Sequence, residues 1–148
     1  MAYEDIANEV VAICDQIEPV VQDLEPWLGR LYADACGIDS ANSIKHAANG
    51  MMGADNPFER IRSCASSVVE GWSGWSAEMS DGLRMPEHVA DLLEYSDYTY
   101  YAGHLERDLE EHTELDPEGY IHQYVTEILD AKDAILNVIS TLIGRYGA

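Results

Sequence analysis

The chain has 148 residues, 47% of them hydrophobic; that is enough for one domain to bury about 70% of its unfolded surface, and too apolar a composition for a disordered polyanion. It carries 28 Asp and Glu against 8 Lys and Arg, a formal charge of −20. Such a field repels DNA, RNA and anionic membranes and attracts basic protein surfaces, so the expectation is one acidic domain over residues 1–148 that binds neither nucleic acid nor membrane directly.

Cys14, Cys36 and Cys64 are odd in number and form no C-x-x-C pair, which argues against a disulfide framework or a thiolate zinc site. They read as buried thiols. The first ten residues hold no basic n-region followed by an apolar h-region, and about 18 apolar residues never run together. The expected location is a reducing one, the cytoplasm, and that of the host cell if the protein is phage-encoded.

Between Tyr3 and Ala35, Ile6, Val10, Ile13, Ile17, Val20, Leu24, Trp27 and Leu31 recur in alternating steps of three and four, the stripe of an amphipathic helix. Within it Ile17-Glu18-Pro19-Val20 and Leu24-Glu25-Pro26-Trp27 repeat seven residues apart, and each proline predicts a kink or a break. Asp39 or Ser40 is placed to cap a short helix that Gly50 and Gly53 end near Met52. Asn56-Pro57-Phe58-Glu59 combines an N-cap, a proline at the first helical position and a reciprocal Glu.

The third helix starts there, with Phe58, Ile61, Ala65, Val68, Trp72, Trp75 and Met79 on its apolar face, and loosens by Asp81-Gly82. Pro86 opens the fourth, whose apolar members are Val89, Leu92, Leu93, Tyr98, Leu105 and Leu109. Asp116-Pro117-Glu118 repeats the cap-and-proline signal, and Ile121, Val125, Ile128, Ile135, Val138, Leu142 and Ile143 carry the last stripe. Period-two alternation is absent. The pattern predicts an all-α, single-domain helical bundle of four long helices plus one short helix, joined by short connections.

No enzyme active site is legible. His104, Asp108, Glu111 and His112 share an arc of roughly 100° on a regular helix. His104 and His112 are about 12 Å apart along the axis, however, so a solvated face is the favoured reading over a metal site. The di-iron Glu-x-x-His pattern, a nucleophile elbow and a Gly-rich phosphate loop are all missing. Neither cofactor nor metal is expected. Tyr95, Tyr98, Tyr100 and Tyr101 crowd seven residues and point in several directions on a helix, so some must be exposed.

Trp72-Ser73-Gly74 resembles the Trp-x-Gly turn of the small helical-hairpin proteins exported by type VII secretion. That resemblance implies a structural or exported helical protein that assembles through an apolar groove. Here 71 residues precede the tryptophan, and a core tryptophan pair, Trp72 with Trp75, is the alternative reading.

The acidic surface is the leading candidate for function. From Glu106 to Glu118 seven of thirteen positions are acidic, interrupted by one cation, Arg107. On a single helix Glu106, Glu110, Glu111, Glu114 and Glu118 fall within about 140°, opposite Leu105 and Leu109. A wholly helical run spans about 20 Å with one charge per roughly 3 Å, near the axial phosphate density of a DNA strand. The predicted partner-binding set is Glu106, Asp108, Glu110, Glu111, Glu114 and Glu118, extended by Glu87, Asp91 and Glu94 on the same helix.

The composition and fold class are those of the acidic helical anti-restriction and anti-CRISPR inhibitors of phages and plasmids, which makes a nucleic-acid mimic that occupies a nucleic-acid-binding channel the first reading. Salt adaptation of a halophile's protein, supported by only two lysines, Lys45 and Lys132, is the second. The helical assembly protein is the third, and the sequence leaves the oligomeric state open.

Overall fold

Ala2–Ala35 forms one helix of 34 residues, α1, in a computed structural model that describes residues 2–69 and 84–146, with side chains over 5–66 and 89–141. It runs through Pro19 and Pro26, so the expected break does not occur. Each ring deprives a carbonyl four residues earlier of its N–H partner. Both prolines are exposed, which leaves those carbonyls, of Asp15 and Gln22, to water while the opposite face keeps its packing.

The predicted α1 stripe divides in two. Ile6, Val10, Ile17, Leu24 and Leu31 are buried together with Cys14, Val21 and Leu28. Ile13, Val20 and Trp27 are only half-buried and pack at the margin of the core.

A 3-10 turn, Asp39–Ala41, leads into α2, Asn42–Gly53. Neither element has a side-chain cap bond, so the cap expected from Asp39 or Ser40 is not made. Gly53 ends α2 as predicted. Gly50 lies inside it instead, because the Tyr101 ring occupies the space of a side chain: a Cβ on Gly50 would stand 2.8 Å from Tyr101 Cγ and closer to two further ring atoms.

Helix α3, Pro57–Val69, begins as its sequence predicts, with the Phe58 N–H donating to Asn56 Oδ1 at 3.0 Å. Helix α4 is Arg84–Tyr95 and α5 is Asp97–Glu111. The fourth predicted helix is therefore two, separated at Ser96, whose ψ of 132° is extended. Thr99, almost wholly buried, donates its hydroxyl to the carbonyls of Leu93 and Ser96. It thereby satisfies the Leu93 acceptor that a continuous helix would have bonded internally, while the Ser96 carbonyl also accepts from the Tyr100 N–H at 3.0 Å.

A 3-10 turn, Thr113–Leu115, precedes α6, Tyr120–Tyr146. Asp116 caps α6 from outside the helix, accepting from the N–H groups of Ile121 and His122 at 3.2 and 3.0 Å. Pro117 is not the first helical residue as predicted, since the chain turns at Gly119, where φ of 73° is left-handed and suits only glycine without cost.

The described residues are all-α, a helical bundle of six α-helices and two 3-10 turns with no strand among them. Helix α1 packs against α2, α3 and α6, while α5 packs on α2 and α6, and α4 on α6 and α5. The central core holds Leu24, Leu28, Leu31, Phe58, Leu105 and Ile128. Burying such side chains stabilises each by about 1.5–3 kcal/mol. No described helix is long and apolar enough to cross a membrane.

Candidate functional site

The acidic run of thirteen residues is not one helix. Helix α5 ends at Glu111, and His112 (φ −128°, ψ 59°) turns the chain out of helical conformation. Glu106, Asp108, Glu110 and Glu111 thus stay on α5, Glu114 sits in the 3-10 turn, and Glu118 lies in the turn before α6. The helical arc predicted for five glutamates holds only as far as Glu111, and the phosphate-like axial spacing applies to that stretch alone.

Burial sorts these residues further. Glu110, Glu111, Glu114 and Glu118 are exposed, whereas Glu106 and Asp108 are half-buried. Glu106 accepts from the Thr126 hydroxyl of α6 at 3.4 Å. Asp91 and Glu94 are exposed on α4, a different helix from the one that carries Glu110. The side chain of Glu87 lies outside the described residues, as do Trp72-Ser73-Gly74, Trp75 and Met79.

Arg107, the cation within the run, makes no ion pair with its carboxylates among the described residues. Its guanidinium donates to His104 Nδ1 at 2.9 Å. His104 also stacks edge-on against Tyr100 at 4.5 Å between centroids, and His112 Nδ1 meets Glu114 Oε1 at 3.0 Å. The Glu114 carboxyl is held below its ordinary value by that contact and by its own backbone N–H. The histidines of the predicted arc are therefore engaged with different neighbours. Among the described residues no group of three or more His, Cys, Asp or Glu converges in a way that could hold a metal ion.

The turn carboxylates gather at the end of α1. Trp27, Arg30 and Asp34 of α1 line a cleft of about 320 Å³ with Glu114, Asp116 and Glu118. Arg30 lies over the Trp27 ring at 4.8 Å, and that ring contacts Tyr120, 43% exposed, at 5.3 Å. A second hollow of about 300 Å³ lies on the same helix pair, floored by Ile13, Ile17 and Val20 of α1 and by Ala131 and Ala134 of α6. Glu127 and Asp130 stand at its edge, with Gln16 opposite. The hollows are not legible in the sequence because they require residues about 80 to 120 positions apart to meet.

Elsewhere the groups are quiet. Cys14 is buried and its thiol is pushed up to about 12, first by burial and then by Asp15. Cys64 is half-buried and Cys36 exposed, so the expectation of three buried thiols fails at Cys36, which follows the end of α1. Arg62 of α3 pairs with Asp15 of α1 at the surface. Tyr98 is buried, with a hydroxyl that has no hydrogen-bond partner among the described residues, and burial and then Glu25 raise its phenol above the ordinary tyrosine value. Tyr95 and Tyr100 are exposed and Tyr101 half-buried, as the dispersion of the tyrosines on the wheel required.

No protein-family model, no curated protein and no solved structure matches this chain.

Proposed function

We propose that this is a non-enzymatic acidic binding protein whose carboxylates occupy a basic surface on another protein, and that the surface is a nucleic-acid-binding channel for which the glutamates stand in as phosphates. The supporting observation is the run of exposed carboxylates Glu110, Glu111, Glu114 and Glu118, of which Glu110 and Glu111 share α5 with the buried Leu105 and Leu109, and whose neighbouring cation Arg107 is hydrogen-bonded to a histidine. Within α5 the like-charged pairs Glu106–Glu110 and Asp108–Glu111, four and three residues apart, each cost a few tenths of a kcal/mol. Stability alone does not select such a surface, whereas an attraction for a cationic partner does.

The test is retention of proteins from a cell extract at low salt. A cationic protein is expected to be held, released as salt rises, displaced by added DNA or RNA, and not held by the Glu110→Lys/Glu111→Lys/Glu114→Lys variant. Equal retention by that variant, with its helical spectrum intact, would overturn the reading.

Salt adaptation draws support from the carboxylates spread along α1, since Asp5, Glu9, Asp15 and Asp23 are exposed as well. A protein adapted in that way melts in dilute buffer and recovers in molar salt. The binding reading predicts a cooperative thermal transition in dilute buffer.

A further inference from the structure

Val20 and Trp27 hold the same position in the two copies of the Glu-Pro phrase. Seven residues bring a helix back to nearly the same face, about 10 Å further on. Ile13, Val20, Trp27 and Asp34 continue that interval along α1. Tyr120, Glu127 and Ala134 keep it along α6.

The two rows run antiparallel, since Trp27 meets Tyr120 while the hollow further along is shared by Ile13 to Val20 and Glu127 to Ala134. The seam between α1 and α6 therefore carries two hollows on one side, separated along α1 by about 14 residues or 21 Å, with the Trp27 and Tyr120 rings between them. One hollow has an apolar floor because Ala131 and Ala134 are too small to fill it. The other has carboxylates at its mouth, Asp34, Glu114 and Glu118.

We propose that this seam is a docking groove for an amphipathic α-helix of a partner protein, apolar along one edge and flanked by lysine and arginine. It rests on the reading of the chain as a receptor for basic protein surfaces, and adds what the partner presents. A helix fits because the two hollows stand about 21 Å apart, about 14 residues of an α-helix, which is two of the seven-residue intervals at which a helix returns its apolar side chains to one face.

Basic flanks fit because Glu127 and Asp130 border the apolar hollow and three exposed carboxylates border the other. Arg30, itself part of the lining of that cleft, lies over the Trp27 ring, a cation held on an aromatic face. A second copy of this chain would bring carboxylates against carboxylates, each copy at −20, so charge rules against it as the occupant.

The probe is a synthetic helix of about 18 residues, long enough to span about 27 Å, with leucines at steps of three and four and Lys and Arg on both flanks. The control peptide keeps the leucines and has Glu on the flanks. Calorimetry at low salt is expected to show one basic peptide bound per chain and no binding of the control, with amide shifts confined to Ile13–Asp34 and Glu114–Ala134. Ala134→Arg fills and charges the hollow, and Glu127→Lys/Asp130→Lys reverses two exposed side chains without touching the core. Each should weaken binding about tenfold or more, while Asp55→Lys/Glu59→Lys, exposed and off both the seam and the acidic run, changes it less than about twofold.

Failure of the basic peptide to bind, equal binding of the control, shifts elsewhere, or undiminished binding by Glu127→Lys/Asp130→Lys would overturn the groove. So would a homodimer at low salt that Ala134→Arg dissolves, which would give the seam to a second copy. A cationic protein retained from extract while the basic peptide fails removes the groove alone. Peptide bound at the seam while no cationic protein is retained removes the functional reading alone.

Discussion

Two pairs of helices lie side by side in this protein and treat their small residues in opposite ways. Where α2 meets α5, Gly50 is covered by the Tyr101 ring, which also meets the His46 ring edge-on at 5.4 Å and exchanges a hydrogen bond of 3.4 Å with it. Where α1 meets α6, Ala131 and Ala134 lie beside Ile13, Ile17 and Val20 around a hollow that no side chain among the described residues fills. A glycine opposite an aromatic is packing complementarity, and it closes a contact. Alanines opposite a hollow leave apolar surface in water, which a partner can cover.

The contrast is sharpest in substitutions that add atoms. Gly50→Ala replaces a poor helix former with the best one, a gain of up to about 1 kcal/mol on propensity alone. The new Cβ meets the Tyr101 ring, however, and overpacking of this kind costs about 1–3 kcal/mol. A net loss of stability in urea denaturation is the expected result, and a net gain would show that the α2–α5 contact is not sealed.

Tyr98→Phe removes a buried hydroxyl that has no partner among the described residues. It is expected to stabilise the fold by on the order of 1 kcal/mol, because the desolvation of that group is no longer incurred. A loss of similar size would reveal a bond that the hydroxyl makes. Ala134→Leu places the same kind of added bulk in the open seam, and its effect on stability should stay within about 0.5 kcal/mol. A larger loss would mean that the seam is closed.

The smallest effect is electrostatic. The Glu114 carboxyl is lowered by His112, by its own N–H and by the charge of that imidazole. A depressed carboxyl contributes to stability above its unfolded value, near the ordinary 4.5, and that contribution disappears as pH falls through the folded value. Carboxyl chemical shifts followed with pH should place the Glu114 midpoint below 4.5, and His112→Ala should move it back up. An unchanged midpoint in the variant would break the link between the turn and His112.

The same contrast marks how far the sequence could be read. Asn56 and Pro57 announce α3 because a cap is a local signal, complete within a few residues. Gly50 looked like a helix stop because glycine usually is one, and only the distant Tyr101 explains it. The division at Ser96 was hidden by an apolar stripe that continues across it. Ser96-Asp97 was the available signal, a helix-start pair of residues.

On α1 the period of three and four picked out Ile13, Val20 and Trp27 at the margin and passed over Val21 and Leu28 of the core, because the apolar stripe is broad enough to include both the core face and the seam. The acidic run was evident as composition. Its arrangement depends on His112 leaving the helix and on Gly119 at positive φ, neither of which the charge pattern encodes.

The central claim is that the exposed carboxylates are a binding surface, and the salt dependence of affinity for the retained cationic protein tests it most directly, measured with the native chain and with Glu110→Lys/Glu111→Lys/Glu114→Lys side by side. The account predicts a loss of about tenfold or more in affinity between about 50 and 200 mM salt for the native chain. Binding by the variant should be too weak to measure even at the lower salt. Two parallel, nearly flat salt curves of equal affinity would contradict it.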